Sequence, residues 1–172
     1  MTRAVFLDRD GVINRPVVRE GRPFPPTELS DFVWNEGVPD TLQELQRRGY
    51  QLLVCTNQPD VARGTQTRER VEQMHAHLTA QLPVAHVYAC YHDDPDDCDC
   101  RKPRPGMLQR GAQDFALELG DCWMVGDRWR DIEAGHNAGC RTVFVDNGYA
   151  EVLTTTPDFT ITNIRELLNI IK

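Results

Sequence analysis

The stretch Arg3-Ala4-Val5-Phe6-Leu7-Asp8-Arg9-Asp10-Gly11 decides the fold. Its short apolar run reads as a buried strand, and the run stops at two aspartates and a glycine. The same pattern recurs along the chain. Residues 51–55 (Gln-Leu-Leu-Val-Cys) run into Thr56-Asn57-Gln58-Pro59, and residues 122–125 run into Gly126-Asp127. Residues 84–91 and 142–145 complete five expected strands.

Helical patterns lie between them. Residues 38–48 carry Pro39 in the first turn and stop at Gly49. Residues 69–82 space Val71, Met74, Leu78 and Leu82 for one helical face, and Pro83 ends them. Residues 107–119 form another helix, ended by Gly120, and Trp129–Ala138 a short one, stopped by Gly139. Asn163 opens a last helix, with Glu166 in capping-box position. Residues 15–26 hold four prolines and read as a loop or flap. Strands alternating with helices predict an α/β fold with a parallel sheet flanked by helices. A length of 172 residues without a linker or repeat predicts one domain over residues 1–172.

Composition narrows the classes. A hydrophobic share of 40% with 26% charged residues is ordinary for a globular chain and argues against disorder. A net charge of −7 disfavours a nucleic-acid partner. No apolar run reaches the roughly 18 residues of a membrane span, and the first residues lack a secretory core, so a cytoplasmic protein is expected. In a reducing compartment six cysteines bind metal or are buried.

In such sheets ligands bind beyond the carboxyl ends of the strands. Asp8, Thr56 and Asp127 each follow an expected strand directly, so they converge on one edge. Asp8-Arg9-Asp10-Gly11 alone could be a turn, and its glycine sits too early for an EF-hand calcium loop. With Asp127 and Asp131 added, the carboxylates repel one another unless a cation compensates them. All-oxygen ligands favour a hard ion such as magnesium. Thr56 and Asn57 lie beside this set, and Arg101-Lys102 follow further on. Carboxylates, magnesium, a hydroxyl and a lysine suit phosphoryl transfer, with a carboxylate as nucleophile.

Cys90, His92, Cys98 and Cys100 fall within eleven residues and suit a tetrahedral zinc. The bland alternative is an acidic loop with incidental thiols, because five aspartates crowd it. Four protein ligands leave no place for water, so the zinc is expected to be structural. Its task is to fix the loop that brings Arg101 and Lys102 to the site. Cys55, Cys122 and Cys140 read as small buried hydrophobes. His75 and His77 face different ways on their helix and make a poor metal pair. The three tryptophans read as packing residues. Arg128, next to Asp127, is placed to meet a remote phosphate of the substrate.

Asp8-x-Asp10-Gly11, Thr56, Lys102 and Gly126-Asp127-x-x-x-Asp131 resemble, in order, the four motifs of the haloacid dehalogenase (HAD) superfamily of phosphatases. The resemblance spans residues 6–145. It implies a Rossmann-like HAD fold with the first strand central. It implies Asp8 as a nucleophile that forms an aspartyl-phosphate, and Asp10 as the acid and base. Magnesium is implied at Asp8, the Asp10 carbonyl and Asp127, and phosphoryl binding at Thr56 and Lys102. A zinc loop directly before Arg101-Lys102-Pro103 is similar to two branches, the heptose 1,7-bisphosphate phosphatases and the histidinol-phosphate phosphatases. Thr56-Asn57-Gln58, Val61-Ala62-Arg63-Gly64 and residues 101–108 are closer to the heptose branch. That branch implies a small phosphorylated sugar as substrate, the heptose bisphosphate losing its 7-phosphate. Three features depart from it: the five-residue gap between the ligand pairs, Pro59-Asp60 after Asn57-Gln58, and the proline-rich loop over residues 15–26, which is expected to line the substrate entrance. A monomer is expected. Other classes remain as alternatives, namely a zinc-stabilised interaction module and a phosphatase of nucleic-acid ends. The longest segment between strands already contains a core helix, so no separate cap domain is expected.

Overall fold

The computed structural model describes residues 2–20 and 22–172. Strand β1 (Arg3–Leu7) is buried over Ala4 to Leu7 and pairs in parallel with two neighbours. On one side lies β4 (Tyr50–Asn57), with Leu7 opposite Val54. On the other lies β6 (Trp123–Gly126), with Leu7 opposite Val125. β5 (His86–Cys90) extends the sheet beyond β4, while β7 (Arg141–Val145) and β8 (Phe159–Ile161) extend it beyond β6. The order β5-β4-β1-β6-β7-β8 is parallel throughout and puts β1 near the centre.

Side chains alternate across a strand, so a buried parallel strand must be apolar on both faces. β1 shows this directly. Val5 and Leu7 join one core with Leu42, Leu45, Met74, Leu78 and Leu167. Ala4 and Phe6 join the other with Met107, Leu108 and Ala134. Thus α1 (Val38–Arg47), α2 (Arg68–Gln81) and α5 (Leu167–Ile170) cover one face, and α3 (Gly106–Phe115) and α4 (Trp129–Ala138) cover the other. Leu42 and Leu45 are fully buried, and truncating either to alanine should cost about 2–5 kcal/mol.

Four local differences from the sequence reading have physical causes. Residues 15–26 are not an irregular flap. They contain an antiparallel ribbon of β2 (Val17–Arg19) and β3 (Arg22–Phe24), where Pro23 is tolerated because a two-stranded ribbon has free edges. Helix α3 ends at Phe115, before Gly120, because Ala116 turns left-handed and sends Leu117 into the core. β8 escaped notice because only Ile161 of its three residues is buried. The C-terminal helix starts as a 3-10 turn over Ile164–Glu166, held by the expected capping box of Asn163 and Glu166.

Candidate active site

Asp8 leaves the end of β1, and its amide donates to Val125 O at 2.9 Å, which keeps it in line with the sheet. Lys102 arrives from the loop after Cys100. Its Nζ donates to Asp8 Oδ1 at 2.8 Å and to Cys55 O at 2.6 Å, and pairs with Asp131 Oδ1 at 2.7 Å. The lysine is buried. Burial disfavours its charge, but Asp131 and Asp8 outweigh that and hold the ammonium above its ordinary pKa. Asp8 is pushed up to about 7, first by burial and then by Asp131, against the pull of Lys102. Asp127, after β6, is raised well above the carboxylate range by burial and by Asp8 and Asp131.

Asp8 and Asp131 therefore share the Lys102 ammonium, and with Asp127 beside them the floor of the pocket holds more carboxylates than cations. Asp8, Asp127 and Asp131 each bring an oxygen within 4.8 Å of the others. Asp131 is already committed, with Oδ1 on Lys102 and Oδ2 accepting from the Arg128 amide at 3.0 Å. Asp127 is different. Its Oδ2 accepts from Asn147 Nδ2 at 3.2 Å, whereas its buried Oδ1 has no hydrogen-bond partner among the described residues. An orphaned buried carboxylate oxygen beside Asp8 fits a hard divalent cation. Gly11 makes room for the Asp127 carboxylate. Its φ is +85°, and a Cβ there would lie 1.9 Å from Asp127 Oδ2.

Asp10 turns away from that trio. Its Oδ1 accepts from Arg9 Nη2 and Asn14 Nδ2, both at 3.0 Å, and its Oδ2 accepts from Gln58 Nε2 at 2.9 Å. It still lines the cavity. The same Gln58 nitrogen donates to Thr56 Oγ1 at 2.9 Å, so the threonine proton is left free to donate elsewhere. Asn57 spends its carboxamide on the Lys102 main chain while its residue lines the cavity. Gln58 and Asn147 carry no signal in the sequence, because only the fold brings them to Asp10 and Asp127, while Arg9 reads there only as part of the Asp8-Arg9-Asp10-Gly11 turn.

The cavity measures about 410 Å³ and opens above these groups. The ribbon supplies Pro23 and Phe24 to the lining, which Pro25, just after it, and Trp129 join. Arginines 63, 101, 128 and 130 supply cationic groups. Each is held by an acid. Arg63 forks onto Asp93 at 2.6 and 2.9 Å, Arg101 Nε meets Asp94 at 2.7 Å, and Arg130 meets Asp94 at 3.1 Å. Arg128 pairs with Glu151 at 2.9 Å. Arg63 enters the sequence reading only within Val61-Ala62-Arg63-Gly64, and nothing in the sequence distinguishes Arg130 from a solvated surface arginine.

Asp93 and Asp94 belong to the cysteine loop. There Cys90 Sγ lies 3.6 Å from Cys98 and 3.0 Å from Cys100, and His92 Nδ1 lies 3.4 Å from Cys100. A zinc tetrahedron with Zn–S near 2.3 Å has edges of about 3.8 Å, so the four ligands are gathered to that scale. None of the three thiols is in a disulfide. Burial works against the Cys98 thiolate, but the Arg101 amide and the neighbouring thiols bring the thiol down to about 7. Donor set and geometry both fit zinc.

Residues 99–167 match the HAD-hydrolase-like family. The chain is 36% identical over 154 residues to a D-glycero-beta-D-manno-heptose-1,7-bisphosphate 7-phosphatase of Pseudomonas putida, covering 87% of this chain and 85% of that protein. It is 34% identical to the Haemophilus ducreyi protein of the same name, over 86% of this chain and 85% of that one. Its fold matches a D,D-heptose 1,7-bisphosphate phosphatase from B. bronchiseptica, solved with magnesium and phosphate. The TM-score is 0.79 at 24% identity, over 99% of this chain and 98% of that one. The chain belongs to the HAD phosphatases, in the family of the heptose-bisphosphate phosphatases it matches over most of its length.

Proposed function

We propose that the chain hydrolyses the 7-phosphate of D-glycero-D-manno-heptose 1,7-bisphosphate through an aspartyl-phosphate. The observation that carries this reading is the Asp8 carboxylate, set between a buried ammonium and an unpaired Asp127 oxygen at the floor of an arginine-lined cavity. An Asp8 oxygen attacks phosphorus and the bond to the sugar oxygen breaks. Asp10 gives that oxygen its proton. Lys102 and the Thr56 hydroxyl neutralise the phosphoryl oxygens. Asp10 then takes a proton from water, the water oxygen bonds to phosphorus, and the acyl phosphate bond breaks to free Asp8 and phosphate. Asp8, the Asp10 carbonyl and Asp127 would hold magnesium, which would supply positive charge to the phosphoryl dianion.

The zinc held by Cys90, His92, Cys98 and Cys100 is structural in this reading, because its four protein ligands leave no open position. Arg101 and Arg128 meet the phosphate that does not react, and Asn57 secures the lysine loop. Four arginines at the cavity offer donors that a second phosphate accepts and a cationic amine cannot, which favours the bisphosphate over histidinol phosphate. The chain acts as a single-domain monomer, and closely gathered free thiols suit the cytoplasm. Phosphate release decides the matter. The kcat/KM for the heptose bisphosphate should exceed that for histidinol phosphate, and the reverse order would overturn the substrate assignment.

A further inference from the structure

The loop between Asp8 and Asp10 carries an arginine that the reaction does not use. Arg9 is completely buried. A buried guanidinium keeps its charge, so each donor left unpaired is costly. Arg9 Nε and Nη2 fork onto Asp10 at 3.0–3.2 Å. Its remaining arm, Nη1, lies 3.0 Å from Nε2 of His75, across 66 residues of sequence. The Phe32 ring lies under the guanidinium at 5.3 Å. His75 sits on the inner face of α2 with Val71, Met74 and Leu78. Burial, then Arg9, pushes its pKa down to about 4, so the ring is neutral near pH 7 and accepts from Arg9 through a lone pair.

We propose that His75 is a positioning residue for Asp10, acting through Arg9: it fixes the guanidinium whose fork aims the carboxyl that gives and takes the proton. This rests on the function proposed above. The geometry supports it because both oxygens of Asp10 are oriented by donors, and among the described residues the Arg9 guanidinium has His75 as its one hydrogen-bond partner besides Asp10. Without the imidazole, Nη1 must seek another acceptor, and a guanidinium rotating toward it carries Asp10 along. His75 touches no substrate, so its loss should act on proton transfer and leave binding alone.

The test compares His75→Ala and His75→Asn with His75→Gln, whose carboxamide oxygen reaches where Nε2 was. Two substrates are used, the heptose bisphosphate and 4-nitrophenyl phosphate. The sugar alcohol needs a proton to leave, whereas nitrophenolate does not. General acid–base groups contribute roughly 100- to 10,000-fold, so a misaimed Asp10 should lower kcat on the sugar about 10- to 100-fold. KM should stay within about twofold. On the aryl substrate, formation of the acyl phosphate stays fast and its hydrolysis slows. Stopped-flow traces of the Ala and Asn variants should therefore show a burst near one nitrophenolate per chain, then slow turnover. His75→Gln should recover wild-type rates within about threefold. If His75→Ala does not fold, the Asn and Gln pair carries the comparison. Equal losses on both substrates without a burst, or a Gln variant no better than Asn, would refute the positioning role. Asp10→Asn run in parallel separates the two levels. If it is inactive while the His75 variants match wild type, this inference alone fails. If it stays active, the assignment of Asp10 fails and this inference with it.

Discussion

Asn57 grips Lys102 at two points: its Oδ1 accepts from the lysine amide and its Nδ2 donates to the lysine carbonyl, both at 3.1 Å. The last residue of β4 thus fixes the backbone of a residue 45 positions away, whose ammonium must sit between Asp8 and Asp131. The amide is matched to this task because it alone offers one donor and one acceptor side by side.

Asn57→Ala should therefore lower kcat by about 10-fold or more while KM moves less, because the lysine loses its register before the pocket loses its shape. Stability should fall by about 1–3 kcal/mol for the partners left unpaired. Asn57→Asp keeps the acceptor and loses the donor, so it should fall between wild type and alanine. Urea unfolding and steady-state kinetics on one preparation check both effects. An alanine variant with full kcat would show that the zinc loop places Lys102 unaided.

Magnesium should be needed for turnover and should also stabilise the protein, because Asp8 and Asp127 both resist ionisation in its absence. At a concentration 100 times its Kd, a ligand stabilises the fold by about 2.7 kcal/mol. For a chain of this size that is a rise in Tm of roughly 5–10 °C. Chelation should abolish activity and the rise together, and added magnesium should restore both. Asp127→Asn should melt no lower than wild type in chelator and gain little from magnesium. Asp8→Asn should fold normally and release no phosphate. Phosphate release by the exhaustively metal-free enzyme would contradict this account.

Much of this site was legible before any coordinates. Asp8, Thr56, Lys102 and Asp127 could be placed because each sits at a break between an apolar run and a polar turn, and strand ends converge in a parallel sheet. The cysteine loop was legible because thiols and imidazole at short spacing have few other uses. What stayed hidden has one physical character. His75, Gln58 and Asn147 act only by what they touch, and nothing local in sequence encodes a contact across 66 residues. His75 is itself a buried position on α2, beside Val71, Met74 and Leu78. The ribbon at β2 and β3 was hidden by its prolines, which argue against a central strand but not against a free-edged one. β8 was hidden because its sheet position is covered on one residue only.

Zinc should matter more to activity than to stability. The loop holds Lys102 two residues beyond Cys100, and its Asp93 and Asp94 hold Arg63, Arg101 and Arg130, whereas both cores lie largely outside it. One zinc per chain is expected by elemental analysis. Cys98→Ser should reduce zinc content, lower kcat, and raise KM for the bisphosphate as the arginines lose their anchors, with a smaller change in Tm. A variant that loses zinc and unfolds outright would mean the loop is part of the folding core.

The arginine cluster should discriminate substrates by their second phosphate. Arg101 is about nine-tenths buried at its side chain and tied to Asp94 and Asp93 at 2.7 and 3.4 Å, so it is preset rather than floating. A preset guanidinium binds phosphate with less ordering cost, and its fork suits two phosphate oxygens. The aspartates that preset it also compete with the incoming phosphate for the same donors. Removing the arginine and removing its anchor should thus differ. Arg101→Ala should raise KM for the heptose bisphosphate about 10-fold or more and leave 4-nitrophenyl phosphate, which has no remote group, within about threefold. Asp94→Ala removes the carboxylate that holds Arg130 and leaves Arg101 only the longer pair with Asp93, so it should weaken bisphosphate binding less than Arg101→Ala does, because the positive charge remains while its placement loosens. Competition by inorganic pyrophosphate gives an independent readout, since it too carries a second phosphoryl group and should lose affinity in the same order. Equal losses on the bisphosphate and the aryl phosphate would mean that Arg101 serves the reacting phosphoryl group or the loop, and that the remote phosphate is held elsewhere.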